Sequence, residues 1–385
     1  MRVKVLASTH MGDSVNVNEF YELGGKTAGI CYMSHDIERI LNEDSSRTQN
    51  RVNIVKNNGH HSVFDHGYIT LYFEEFPKAF AMLLNNERMY NTSEKSARYT
   101  KMKADGREKE LYDKWCEIFK KLITEKYGNE KYFDEKRIQK LAMENARLVI
   151  SIFTPSTSFA YTASFRQLNY IYGWFKNLNK TKSSFLQKLI PYGEYFCKTL
   201  EELNIVDDAL VSGGAHRTFS LIATKNYKEV YEDVYSTHYD ASYAELAQAI
   251  RHRTLDYCMK EYVIPKFYIP TILNNNEDLK NEWISDLTSI KDNVPQGTLV
   301  KVYERGTYEN FLLKVRERVC TCAQLEIVDQ TVKTMKKYAS KTTQKSIKEQ
   351  LNSLSKSARC VHGYKCNSPC GFVDGIKLNR VIWWK

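Results

Sequence analysis

Two stretches far apart in the chain carry residue types suited to gripping an anion. NTSEKSARY, Asn91 to Tyr99, sets a carboxylate, a hydroxyl and a guanidinium at alternate positions: Glu94, Ser96 and Arg98. RHR, Arg251 to Arg253, is a second basic cluster. Arginine can fork onto a phosphate or a carbonyl with two parallel N–H groups. A nucleotide is therefore a natural ligand for either stretch. The plainer reading of the first is a helix start, with Asn91 as cap and Glu94 completing a capping box. Glu94 and Arg98 would then share a helix face as a surface ion pair. Ser96 would lie in the first turn, where unpaired N–H groups favour phosphate. No base of the triad kind accompanies Ser96 in the sequence, so binding is expected of it and not nucleophilic attack. The plainer reading of RHR is a basic helix end on a solvated face. Three adjacent helical positions cannot face one way, which suits a helix end meeting a large ligand from more than one side.

A third constellation closes the chain. RCVHGYKCNSPCGF holds Cys360, His362, Cys366 and Cys370. Three thiols and an imidazole can hold zinc tetrahedrally, and the glycines and proline supply tight turns. The spacing is not that of a standard finger, and reduced free thiols are the alternative. Two other features are set aside. GGKT, Gly24 to Thr27, lacks the upstream glycine of a phosphate loop, because position 20 is Phe20. Cys320 and Cys322 stand two apart in a helical pattern and do not face each other.

The elements that must position these residues follow from periodicity and punctuation. MRVKVLAST reads as a strand, and HSVFDHGYITLYFEEF as a turn and a strand. Pro77 suits a first helical position before KAFAMLLNNERMY. ELYDKWCEIFKKLITEKYG is an amphipathic helix ended by Gly128, and KRIQKLAMENARLVIS is a second helix. TPSTSFAYTASF reads as extended or loop-like. RQLNYIYGWFKNL and FLQKLIPYGEYFCKTLEEL are helical, the latter broken at Pro191. From about residue 205 the order partly repeats. A glycine loop, VSGGAH, precedes the strand-like TFSLIATK and a helix, ASYAELAQAIRHRTLDYCMKEY. A polar connector and a turn at Pro295 and Gly297 lead to the strand TLVKVYERG. A long helix follows, TYENFLLKVRERVCTCAQLEIVDQTVKTMKKYA. This is the order of a diverged tandem duplication.

Composition sets the outer bounds. The chain has 385 residues, 42% of them hydrophobic and 26% charged, enough apolar content for a sizeable core. Its net charge of +10 fits anionic ligands without choosing among them. The lysines are scattered and form no stripe with aromatics, so nucleic acid is not expected as a partner. The N-terminus lacks the apolar segment of a signal peptide, and no apolar run is long enough to span a bilayer. A reduced, cytoplasmic setting is the expectation for its nine cysteines.

NERMYNTSEKSARY, Asn86 to Tyr99, resembles part of the pattern R-H-R-x-x-S-x-N-E-x-S-x-R-Y of the flavin-dependent thymidylate synthases. It matches at Glu94, Ser96, Arg98 and Tyr99, and of the first three positions only at Arg88. QAIRHRTLDYCMKEY supplies the missing Arg-His-Arg, with Gln248 three residues upstream, but has Met259 where the glutamate would stand. HHSVFDH resembles H-x-[ST]-P-F-E-H, with Val63 for the proline and Asp65 for the glutamate. ENARLVIS resembles A-R-x-V-L-P at Arg147. RVCTCAQLEI resembles R-x-x-x-x-A-Q-x-E-I at Arg318. SFRQL resembles N-x-R-x-L at Arg166, with Ser164 for the asparagine.

The resemblance implies an α+β fold in two diverged copies, each a small sheet packed with long helices, followed by a Cys-rich C-terminal tail. It places the first repeat at 1–200 with ExSxRY and the second at 201–342 with RHR and AQxE. An extension at 343–385 carries the candidate metal knuckle; some members of the family carry a similar cysteine cluster at the C-terminus. In the family the nucleotide sites lie between subunits of a homotetramer. Here Gln248, Arg251 and Arg318 fall in the second half, and Glu94, Ser96, Arg98 and Arg147 in the first. The expectation is one composite site per chain, with a homodimer rebuilding the tetramer-like core. Implied for the substrate are Gln248, Arg251, Glu94, Ser96, Arg98, Arg147 and Arg318, with Arg318 and Ser96 at the reacting centre. Implied for FAD are His60, Ser62, Glu94, Arg166, Arg251, His252 and Arg253. The implied reaction passes a one-carbon unit from methylenetetrahydrofolate to dUMP, with NADPH as reductant. Two alternatives stay open: hydroxymethylation or methylation of another pyrimidine nucleotide such as dCMP, and a non-catalytic nucleotide-binding protein.

Overall fold

The computed structural model describes residues 1–11, 14–32, 37–96, 102–129, 133–223, 228–320, 323–356 and 358–363. They form two compact units, each assembled from two separate stretches. The first comprises Met1–Lys95 and Pro155–Phe219. The second comprises the described residues of Ser96–Thr154 and Ser220–Lys385. The described residues of 96–154, early in sequence, thus fold with the second sheet.

The first unit holds a five-stranded antiparallel sheet of β1 (Arg2–Ser8), β2 (His10–Met11), β3 (Tyr68–Phe76), β4 (Tyr90–Glu94) and β5 (Thr157–Ser164), in the order β2-β1-β3-β5-β4. In β3, Ile69, Leu71 and Phe73 point inward at the strand period of two. The register then shifts between Glu74 and Phe76, and Glu75 takes a positive φ of 58°. This bulge changes the parity, so Phe76 also turns into the core. There the rings gather: Phe73 stacks on Phe159 with centroids 4.5 Å apart, and Phe80 on Phe175 at 4.9 Å. Phe196 packs against Phe73, Phe80 and Phe175.

The second unit holds a four-stranded antiparallel sheet of β6 (Val230–Tyr231), β7 (Val234–Ser242), β8 (Asp256–Glu261) and β9 (Leu299–Thr307), in the order β6-β7-β9-β8. Its helical layer includes Gly106–Tyr127, whose Leu111, Trp115, Phe119 and Ile123 recur every four residues along one buried face. They pack against Trp283 and Leu287 of the helix Glu277–Ser289. Asp286 of that helix accepts from the Trp115 indole at 2.9 Å and from Lys114 at 2.5 Å, so the buried carboxylate is satisfied.

The molecule is thus an α+β fold with two small sheets, each flanked by helices. The two repeat one order: strand, short helix, edge strand, long excursion, strand, helix. β4 begins 22 positions after β3 (68 to 90), and β8 begins 22 positions after β7 (234 to 256). Tyr68 pairs with Ser164 and Val234 with Thr307. Ser164 and Thr307 each cap the following helix, accepting from Gln167 and Asn310 N–H. Glu94 pairs with Phe159, and Met259 with Val302, five positions before the respective cap. Met259 therefore occupies the place of Glu94, as the sequence patterns align them.

Several local expectations are corrected. Asn91 caps no helix: residues 90–94 are the edge strand β4, so no capping box forms and Ser96 is not in a first helical turn. RHR is not on a helix either. The helix Tyr243–Ala249 ends before it, β8 starts at Asp256, and Arg251–Arg253 lie in the turn between them. TFSLIATK forms no strand over its described residues. The long C-terminal helix is two helices, Tyr308–Arg318 and Leu325–Lys341, broken at 319–324. Cys320 lies at that break, and Cys322 lies outside the described residues.

Phe73 has no exposed surface and touches four other phenylalanines. Phe73→Ala should lower the unfolding free energy by about 3–5 kcal/mol. Leu6→Ala, at a side chain 45% exposed, should change it by no more than about 0.5 kcal/mol. Urea unfolding of both variants checks the inside–outside assignment of the first sheet.

Candidate functional site

The second unit draws together residues from both ends of its sequence. Arg147 follows the helix Glu135–Ala146 and opens a 3-10 turn, Arg147–Val149. It is buried, and its Nε donates to the Glu144 carbonyl at 3.2 Å. Its Nη2 donates to Gln324 Oε1 at 2.5 Å. Gln248, in the last turn of Tyr243–Ala249, donates its amide to the same oxygen. Gln324 is the residue before Leu325–Lys341, and its own Nε2 donates to Glu326 Oε2 at 3.1 Å. Glu326 also accepts from Ser242 N–H at 2.8 Å and from Ser242 Oγ at 2.6 Å. Ser242 Oγ in turn accepts from Glu245 N–H at 3.1 Å, capping the helix that carries Gln248.

Arg318 joins the cluster from another side. Its Nη2 donates to the Gln248 carbonyl at 3.2 Å, and its Nε donates to His252 Nε2 at 2.5 Å. An acceptor at Nε2 requires a neutral imidazole with its proton on Nδ1. Burial first, then the Arg318 and Lys314 charges, hold the His252 pKa down at about 2. Lys314 stands one helical turn before Arg318 on the same face. It forms an ion pair with Glu304 at 2.5 Å, neither side chain having any exposed surface. Tyr239 donates to Glu304 at 2.7 Å, and Tyr235 donates to its other oxygen.

The remaining predicted residues fall as follows. Arg251 is half-buried and Arg253 exposed, both in the turn after Gln248, whereas His252 is buried under Arg318. In the first unit, His60 is half-buried and Ser62 exposed, at the 3-10 turn His61–Asp65. Arg166 forms an ion pair with Asp65, which also accepts from Ser164 Oγ at 2.6 Å. Glu94 forms an ion pair with Lys78 at 2.5 Å and accepts from Thr157 at 3.1 Å. Its side chain is 1% exposed, so little of it is offered to a ligand. Ser96 is half-buried beyond β4, and Arg98 lies outside the described residues. Cys360 and His362 lie in the 3-10 turn Arg359–His362, and Cys366 and Cys370 lie outside the described residues. Among the described residues no group of three or more His, Cys, Asp or Glu is gathered to hold a metal ion. Among them, too, no helix is long and apolar enough to cross a membrane.

Sequence reasoning did not single out Gln324, Glu326, Ser242 or Glu245. The signal for the first two lay in AQLEI, where a primary amide and a carboxylate stand two apart at a helix start. A carboxylate in a first turn is favoured by the helix dipole.

His252 and Glu326 give the unit opposed pH dependences. The unfolded chain takes up a proton on His252 near its ordinary value of 6.5, and the folded chain resists it down to about 2. This group's contribution is complete above pH 6.5 and is lost as pH falls through that window, at most about 1.4 kcal/mol per pH unit. Burial raises the Glu326 pKa from 4.5 to about 7. The folded state keeps a proton there that the unfolded state releases, so stability falls as pH rises from 4.5 to 7. His252→Asn, which cannot take a proton, removes the His252 part, so from pH 6.5 to 4.5 its stability should rise relative to that of the wild type. Urea midpoints at stepped pH read this directly, and acid limbs of equal slope in the two proteins would contradict the neutral, buried imidazole.

A family model described as Thymidylate synthase complementing protein matches residues 21–174. No curated protein matches the chain. Among solved structures, the UMP/dUMP methylase PolB from Streptomyces cacaoi, bound with 5-Br dUMP, is 14% identical. That match covers 56% of this chain and 96% of that one, with a TM-score of 0.37. Thymidylate Synthase X from Helicobacter pylori, with FAD and dUMP, is 16% identical over 55% of this chain and 99% of that one, with a TM-score of 0.33. The family match is confined to residues 21–174, less than half of the chain, so the similarity is partial.

Proposed function

We propose that this chain transfers a one-carbon unit to a pyrimidine nucleotide with the help of a reduced flavin, the nucleotide being dUMP and the product dTMP. The observation that supports the reading is the meeting of Arg147, Gln248 and Arg318 within one compact unit, the first two joined through Gln324 and Arg318 held on the Gln248 carbonyl. The resemblance assigns these three residues to one nucleotide, and they come from opposite sequence halves. A chain that carries two diverged copies of one fold and keeps one site from both halves accounts for this sorting.

The roles follow from the chemistry of each group. Arg147, buried and held by Gln324, is a rigid guanidinium for a phosphate or a uracil carbonyl. Gln248 is oriented at both ends: its side-chain amide by Gln324 and its backbone carbonyl by Arg318. Arg318 stabilises negative charge that develops on the pyrimidine ring. The neutral His252 fixes its direction without competing for that charge. The donor set also suits a flavin dinucleotide, because the guanidiniums of Arg251 and Arg253, in the turn after Gln248, have the chemistry that its phosphates require. When bound, FAD supplies the reducing equivalents and the one-carbon carrier, with NADPH as the reductant and methylenetetrahydrofolate as the carbon source. The protein's share is binding, orientation and charge.

Purified protein should release one FAD per chain on denaturation and show a dUMP-dependent change in its visible spectrum. With dUMP, methylenetetrahydrofolate and NADPH it should form a product heavier by a methyl group. Arg318→Gln should lower turnover by about 100-fold or more while flavin content stays unchanged. A product carrying a hydroxymethyl group, or a preference for dCMP, would move the reading to a related one-carbon transfer. Nucleotide binding without flavin, even after FAD is added, would replace it with a non-catalytic nucleotide-binding protein.

A further inference from the structure

Beneath Gln324 lie two buried carboxyl groups that the proposed chemistry does not use. Glu326 and Glu245 are both buried. Glu326 accepts from Ser242 N–H, Ser242 Oγ and Gln324 Nε2, so both of its oxygens serve as acceptors. Burial first, then the charge of Glu326, raise the Glu245 pKa well above its ordinary value, so Glu245 carries a proton. Its Oε1 has no hydrogen-bond partner among the described residues, as suits a neutral acid better than an ion.

A primary amide is polar along one direction. Gln324 turns its oxygen to Arg147 and Gln248 and its nitrogen to Glu326. With the amide reversed, its N–H groups would face the donors of Arg147 and Gln248, and its oxygen would face a carboxylate. Only one orientation satisfies all three neighbours. Buried ions are costly, and fixing one arrangement against its alternatives is the best-attested reason for keeping them. We propose that Glu326, held as an acceptor by Ser242, is a positioning residue that sets the polarity of Gln324 and so fixes Arg147 and Gln248 for the nucleotide. The ligand in this statement rests on the proposed function, whereas the polarity does not.

The test exchanges the polarity without changing the shape. In Glu326→Gln the new amide keeps the Ser242 N–H bond only by turning its own N–H toward Gln324, which then turns its oxygen toward it and its N–H groups toward Arg147. The double variant Gln324→Glu, Glu326→Gln restores an acceptor facing Arg147 and Gln248 and a donor facing residue 324, with the net charge of the wild type. Two quantities are read on the full-length protein: the urea midpoint, and the Kd for dUMP by calorimetry. Glu326→Gln should lower the midpoint and weaken dUMP binding by about tenfold or more, the scale of a hydrogen bond to a charged group. The double variant should recover most of both. A role in packing alone would not be rescued by a second substitution in the same cluster. Wild-type midpoint and affinity in Glu326→Gln, or no recovery in the double variant, overturns the inference. Recovery of the midpoint with no dUMP binding by any of the proteins upholds the polarity and removes the nucleotide, so the proposed function fails and the internal arrangement stands.

Discussion

An amide side chain has one accepting end and one donating end, and the arrangement in the second unit turns on how Gln324 uses them. Its oxygen collects Arg147 and Gln248, and its nitrogen faces Glu326. Those contacts tie a 3-10 turn near residue 147, a helix ending at Ala249 and a helix starting at Leu325 to one point. Ser242 extends the tie to the sheet, because it ends β7, caps the next helix and holds Glu326. The residues suited to a nucleotide are therefore fixed by backbone elements and not left on loops.

A second constraint sets Arg318. The Glu304–Lys314 pair is sealed between β9 and the helix Tyr308–Arg318, with Tyr235 and Tyr239 completing the carboxylate's hydrogen bonds. A buried pair is affordable only when its remaining lone pairs are met, and here they are. Lys314 anchors one helix face, and Arg318 lies one turn further along that face. Burial first, and then the two cations, keep His252 neutral, which lets the imidazole accept from Arg318. The sheet core, the helix and the site are thus electrostatically linked within the unit.

Much of this was legible in the sequence where a single period was clean. β1, β3 and β9, the helix Gly106–Tyr127 and the helix Phe165–Lys176 follow from alternation or from four-residue spacing. The two edge strands were not legible, for separate reasons. β4 is short, and its Asn, Thr, Ser and Glu are also the residues of a helix cap. In β8, Tyr257, Cys258 and Met259 are buried in succession, so no alternation marks the strand, and it reads as a continuation of the preceding helix. The break at 319–324 contains neither proline nor glycine. Arg147, Gln248 and Arg318 were legible as candidates through motif spacing. The partner that Arg147 and Gln248 share was not, because a glutamine and a glutamate at a helix start ordinarily read as solvated. Which sequence halves share a compact unit was not legible either, since no local signal reports that residues 96–154 fold with the second sheet.

The central claim is that a pyrimidine nucleotide binds at Arg147, Gln248 and Arg318. The most direct measurement is a crystal structure of the protein with 5-bromo-dUMP, the bromine being located by its anomalous scattering. The account predicts the base and phosphate in contact with those three side chains, with Gln324 still turned as it is without ligand. A nucleotide bound elsewhere, away from Arg147, Gln248 and Arg318, would contradict it.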